Sequence, residues 1–392
     1  SYTQNEATNW YFGYRAGLNF NLNNNTVSAL TDGELNTEEG CAAISDDFGN
    51  LLFYTDGISV WNKNHDVMPN GRGLFGDPSS TQSAIIVPKP NDNNIYYIFT
   101  VDDHGFNQDH FGLNYSVVDI TLNGGLGEVT SKNINLLEEC SEKITAVLKN
   151  CITGSIWVIA FASRDGKLDI YNTFHAFEVG NSGVNPFAVK SSFGIDIIDE
   201  RGYLKLSPDG TKMACANASS GLFLYDFDAN SGTVSSQIQL SINDPAGIPY
   251  GVEFSPNNQL LYVSSSNDFF DRENPENSEI EENHAALLTQ FNLSAANIQT
   301  SAITIDKRQL YRGALQLGPD GKIYRALSKT SSKGVNSLGV INSPNRIGLN
   351  CNYIHNGINL STSQSSHGLP PFIASFFNVS LSDSNIFGSS PP

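Results

Sequence analysis

A chain of 392 residues with 40 acidic and 22 basic side chains carries a net charge of −18, which repels a phosphate backbone at long range and excludes nucleic acid as a partner. No apolar run reaches the roughly 18 residues that a membrane-spanning helix needs. With 39% hydrophobic and 10% aromatic residues the chain can bury a continuous core, and its glycines and prolines are spread as many short turns require.

The first apolar alternating runs are WYFGYRAGLNFN from Trp10 and TVSAL from Thr26. They read as strands without a preceding partner. From Cys41 onward a unit recurs: CAAISD, NLLFYTD and ISVWN; then SAIIVPKP, IYYIFTV, LNYSVVDI and a strand near 129–136. A third unit holds KITAVLK, SIWVIAFA and FHAFEV, with a last strand near 187–191. The fourth holds YLKLS, KMACA and LFLYDFD; the fifth YGVEFS, LLYVSS and ALLTQFNL; the sixth GALQL, KIYRALS and SLGVIN. A turn joins the first two strands in several units: SPDG at Ser207, SPNN at Ser255, GPDG at Gly318 and, more loosely, SDDFGN at Ser45. Proline presets φ, Asp or Asn bonds locally, and Gly or Asn accepts positive φ, so these turns are hairpin devices and not catalytic motifs.

Hairpins repeated at about 50 residues predict radially arranged sheets. The fold expected is all-β, a seven-bladed β-propeller of four-stranded antiparallel blades. HGLPPFIASFF from His367 reads as the innermost strand of a seventh blade, so 10–35 and 367–377 close the ring together. Six blades follow at approximately 40–75, 82–136, 142–192, 202–241, 249–306 and 312–361, between an extension at 1–9 and a tail at 378–392. Pro370 and Pro371 sit awkwardly in that strand because neither donates a ladder hydrogen bond, so it is expected to start at Phe372 or to line the channel irregularly.

Propellers bind ligands at the channel mouth, where loops lead into the innermost strands. Glu39, Gln82, Glu142, Arg201, Tyr250, Arg312 and His367 occupy that level. Such a ring of carboxylates, arginines and one histidine can hold a small polar ligand or a metal, or its groups can satisfy one another. Lys205, Glu253 and Gln316, two residues before the turns, are expected to form an internal polar network, since buried charges need partners. Two acidic loops merit comparison with calcium sites: Asp102, Asp103, Asn107 and Asp109 in one, Asp271 and Glu273 in the other. Neither follows the EF-hand pattern. The seven histidines include no HExxH, and no nucleophile elbow, P-loop or dinucleotide fingerprint is present. These absences favour a non-enzyme. Of the five cysteines, Cys41 and Cys215 fall in strands, and the Cys140–Cys151 pair is expected to stay unbridged.

The phrases WYFGYRAGLNFN, EEGCAAISDDFGNLLFYTDGISVWNKNHDVMPNG, SSTQSAIIVPKP, GGLGEV, YLKLSPDG, YGVEFSPN, GALQLGPDGKIYRA, LGVINSPN and HGLPPFIASFF, in that order, resemble the N-terminal propeller region of large secreted surface proteins of Bacteroidota. Those proteins are associated with type IX secretion and gliding motility. The resemblance implies an extracellular or outer-surface location and a binding, adhesion or scaffolding module, a monomeric domain in a larger assembly, whose loops take a surface protein or glycan. It supplies no catalytic residues. The alternatives are a metal-assisted hydrolase or lyase at the channel mouth and a rigid structural spacer.

Overall fold

The computed structural model describes residues 4–103, 110–149 and 153–378. Seven separate antiparallel sheets form a seven-bladed β-propeller. The first has three strands, Asn9–Phe12, Ala16–Asn21 and Thr26–Leu30. Four-stranded sheets then begin at Ala42–Ser45, Ala84–Lys89, Leu204–Leu206, Ile248–Phe254 and Leu315–Leu317. The blade beginning at Ile144–Leu148 has a divided outer edge, because Gly183–Val184 and Val189–Ile197 both pair with Tyr171–Gly180.

Burial follows distance from the axis. Ala42–Ser45, Leu204–Leu206 and Leu315–Leu317 are buried along their whole length, whereas the outer strand Thr233–Leu240 is largely exposed. First strands of successive blades touch one another from Asn9–Phe12 round to Leu315–Leu317, so each blade buries its inner faces largely against its neighbours. The repeated turns fold as local chemistry requires. Gly210 N donates to Ser207 O at 2.8 Å, Asn258 N to Ser255 O at 2.9 Å and Gly321 N to Gly318 O at 3.0 Å. Gly210, Asn258 and Gly321 take φ of 71°, 62° and 75°.

The ring closes where both ends of the chain meet, although not through a regular fourth strand. The segment from His367 to Ile373 is irregular and ends in a 3-10 turn, Ala374–Phe377. Pro370 and Pro371 have no N–H to give a ladder, which is why the expected strand does not form. Closure is made instead by single contacts. Tyr14 and Gln364 exchange backbone hydrogen bonds of 2.9 and 3.2 Å, His367 N donates to Glu38 O, and Ala314 N donates to His367 O. Phe372 lies 5.9 Å from Trp10, ring to ring. Gly368 is indispensable here: a Cβ would stand 1.6 Å from Glu39 O.

After this crossing, Phe372, Ala374 and Phe377 line one small cavity together with Lys205, Glu253 and Gln316. There Lys205 Nζ pairs with Glu253 Oε2 at 3.2 Å and bonds Gln316 Oε1, and Leu317 N donates to Glu253 Oε2 at 2.9 Å. The internal polar network expected from the sequence is thus formed. Cys41, Cys140, Cys215 and Cys351 are buried free thiols, and Cys151 lies outside the described residues.

Candidate metal centre at the channel mouth

A second set of polar groups lies at the ends of the inner strands away from the repeated turns. Three carboxylates from three consecutive blades converge there: Asp103, just past the strand Asp92–Val101; Glu142, just before Ile144–Leu148; and Glu200, just before Leu204–Leu206. One ligand oxygen of each lies within 4.8 Å of the other two. Glu142 is buried, while Asp103 and Glu200 are half-buried and open the group toward solvent. Oxygen-only donors of this kind suit a hard divalent cation such as calcium, magnesium or manganese.

Two of the carboxylates are aimed by their neighbours. Glu142 Oε2 accepts Thr81 N at 2.7 Å and Thr81 Oγ1 at 2.5 Å. Tyr171 Oη donates to Glu200 Oε2 at 3.3 Å, and Lys143 Nζ braces the same segment by donating to the carbonyls of Glu200 and Arg201. Asp102, one residue before Asp103, fixes the loop base by accepting Phe111 N and Gly112 N at 2.6 and 3.0 Å.

The electrostatic cost of this arrangement is visible in the acids themselves. Burial holds the Glu142 carboxyl well above its usual range, and Glu39, Glu200 and Asp103 add to the shift. Burial, then Asp103 and Asp169, push Glu200 up to about 8. Like charges gathered out of water resist ionisation, and a bound cation relieves that cost.

A pH dependence follows. Because the Glu200 pKa is raised in the folded chain, both states are protonated below its ordinary value of 4.5, and the folded state is penalised progressively as pH climbs toward about 8. Glu200→Gln is therefore expected to gain stability over the wild type across that interval in chelator-treated protein. Thermal melts at a series of pH values would check this, and a difference that stays constant with pH would refute it. A saturating divalent cation should remove the advantage.

The remaining mouth residues form a second group. Arg312 Nη2 donates to Glu39 Oε1 at 2.5 Å, His367 Nδ1 lies 3.1 Å from the same oxygen, and the Arg312 guanidinium rests 4.9 Å from the Tyr250 ring. Arg201 grips Asp199 through Nε and Nη2 at 3.0 and 2.7 Å. Gln82 is a staple between blades, accepting Ile144 N and Leu204 N.

Among the residues singled out from sequence, Asp103 and Glu142 come together, but as parts of one centre and not of separate features. Asp102 is taken up by backbone amides, and Asn107 and Asp109 lie outside the described residues. Asp271 caps its own loop, accepting Glu273 N, Asn274 N and Asn277 Nδ2, and neither it nor Glu273 belongs to a metal-capable cluster among the described residues. Glu200 was not anticipated. Its one sequence signal is an acid placed just before Arg201, at the level where Glu142 stands in the preceding blade. The expectation of a non-enzyme is corrected by the carboxylate centre, which gives the channel mouth the donor set of a metal-assisted site. It escaped motif search because its members lie on three separate connections.

No family model matches the chain, and no curated protein matches it. Among solved structures, a protein from Bacteroides fragilis, provisionally assigned as a 6-phosphogluconolactonase, aligns with TM-score 0.50 and 12% identity over 92% of this chain and 97% of its own. A provisionally assigned 6-phosphogluconolactonase from Bacteroides uniformis aligns with TM-score 0.49 and 13% identity, over 90% and 98%. A functionally unknown protein from Desulfotomaculum acetoxidans gives 0.45 and 13%, over 92% and 96%. At such identities the first of these likenesses speaks for the fold alone, and the other two carry no argument.

Proposed function

We propose that the chain is a metal-assisted hydrolase or lyase whose reaction takes place at the mouth of the central channel. The observation that carries this reading is the convergence of Asp103, Glu142 and Glu200 within 4.8 Å on three rigid blades. All three lie on connections close to strand ends, and hydrogen bonds from Thr81 and Tyr171 hold Glu142 and Glu200 there. A divalent cation there would supply Lewis acidity toward a carbonyl or phosphoryl oxygen and lower the pKa of water. The chain's own residues divide the remaining work. Asp103, Glu142 and Glu200 would hold the ion; Thr81 orients Glu142; Lys143 and Tyr171 position Glu200.

The reading is tested by assaying chelator-treated protein against carboxylic esters, lactones, phosphoesters and uronate-containing oligosaccharides, with calcium, magnesium or manganese restored singly. Turnover should require one of these ions. Asp103→Asn should lower it by more than about 100-fold, beyond what is typical of losing an outer-shell partner. Cation-independent turnover would reject the proposal. Cation binding without turnover of any of these classes would favour the binding module that the resemblance implies.

A further inference from the structure

Beside the carboxylate centre, two arginines from different blades share one aspartate. Arg201 Nη1 lies 3.0 Å from Asp268 Oδ2, and Arg312 Nη1 lies 3.5 Å from Asp268 Oδ1. Both contacts are ion pairs without a hydrogen bond, and Arg312 Nε, Arg312 Nη1 and Tyr250 Oη are buried with no hydrogen-bond partner. Asp268 itself has φ of 44°, a left-handed conformation that residues bearing a Cβ adopt only at a cost. Its amide is held by Ser266 Oγ at 3.2 Å. A strained acid thus spans two guanidinium groups and leaves donors of one of them unused.

We infer that Arg201 and Arg312 form an anion subsite for a carboxylate-bearing ligand, and that Asp268 fills it in the free protein. The inference rests on the hydrolase or lyase reading, because it specifies the substrate class of that site. Asp268 shows which chemistry the arginine pair accepts. Exchanging its carboxylate for a ligand's leaves the charge count unchanged, with Asp199 still on Arg201 and Glu39 still on Arg312. An incoming carboxylate can approach past Arg201, whose side chain is 34% exposed, and take the place of Asp268 between Arg201 Nη1 and Arg312 Nη1, one prong from each guanidinium. Glu200 adjoins Arg201 in the chain, so the anion subsite and the cation centre share one connection.

Titration calorimetry on the full chain, manganese-loaded and metal-free, with succinate and separately with inorganic phosphate, tests this. Succinate should bind the wild type. Asp268→Asn, which tolerates the same φ while removing the competing charge, should bind it about two- to fivefold more tightly, the scale of one partly exposed ion pair. Asp268→Gly serves the same end if the first variant does not fold, and Arg201→Gln should lose the gain. Equal affinity in wild type and Asp268 variants, no succinate binding in either, or binding of phosphate alone would overturn the inference. Manganese affinity, compared between wild type and Asp103→Asn, reports on the cation centre separately. Loss of that arm with a preserved Asp268 effect removes the hydrolase reading only, and the reverse removes the anion subsite only.

Discussion

A chain ending at Ser366 is expected not to fold, in contrast to an open sheet that would only fray. The segment removed carries Leu369, Phe372, Ile373, Phe376 and Phe377, all buried in the main core. At about 1.5–3 kcal/mol for each such side chain, their loss amounts to roughly 8–15 kcal/mol, as large as the whole stability of an ordinary domain. It also strips His367 from Glu38 and Ala314, Leu369 N from Tyr203 Oη, and Ser375 Oγ from Leu148 N, so groups in several blades lose partners together. Far-ultraviolet circular dichroism and gel filtration would show an expanded chain without a cooperative melt. A truncated protein that melts cooperatively near the wild-type temperature would mean that closure is carried elsewhere.

Glu142→Gln should separate the stability of the fold from the chemistry of its mouth. Glutamine retains a carbonyl oxygen where Thr81 N and Oγ1 donate, so the local geometry survives. It removes a carboxyl that burial, with Glu39, Glu200 and Asp103, holds un-ionised at pH values where the unfolded chain ionises it. In chelator-treated protein near neutral pH the variant is expected to melt above the wild type. With a cation present the order should reverse. A ligand at about 100 times its dissociation constant stabilises the native state by about 2.7 kcal/mol, and the variant forfeits that gain. Differential scanning calorimetry with and without calcium or manganese reads both effects. An unchanged cation response in Glu142→Gln would remove Glu142 from the centre.

The blades were legible in the sequence because their signals are local. Pro208 and Gly210, or Pro256 and Asn258, specify their turns within four residues, and flanking alternation specifies the strands. The closing segment was legible as a location but not as a conformation. Its apolar residues identified it as central, while Pro370 and Pro371 left it without a ladder. The centre was legible in parts. Glu142 emerged from its place in the repeat, and Asp103 from an acidic loop. Glu200 and Asp268 did not, because what they meet is set by how blades stack, which no short spacing encodes.

The most direct measurement is a crystal structure of manganese-soaked protein with anomalous data collected near the metal edge. The expected result is a single strong peak bonded to Asp103, Glu142 and Glu200, absent from Glu142→Gln crystals. An empty centre at saturating manganese, or a peak at Asp271 with none at the mouth, would contradict the account.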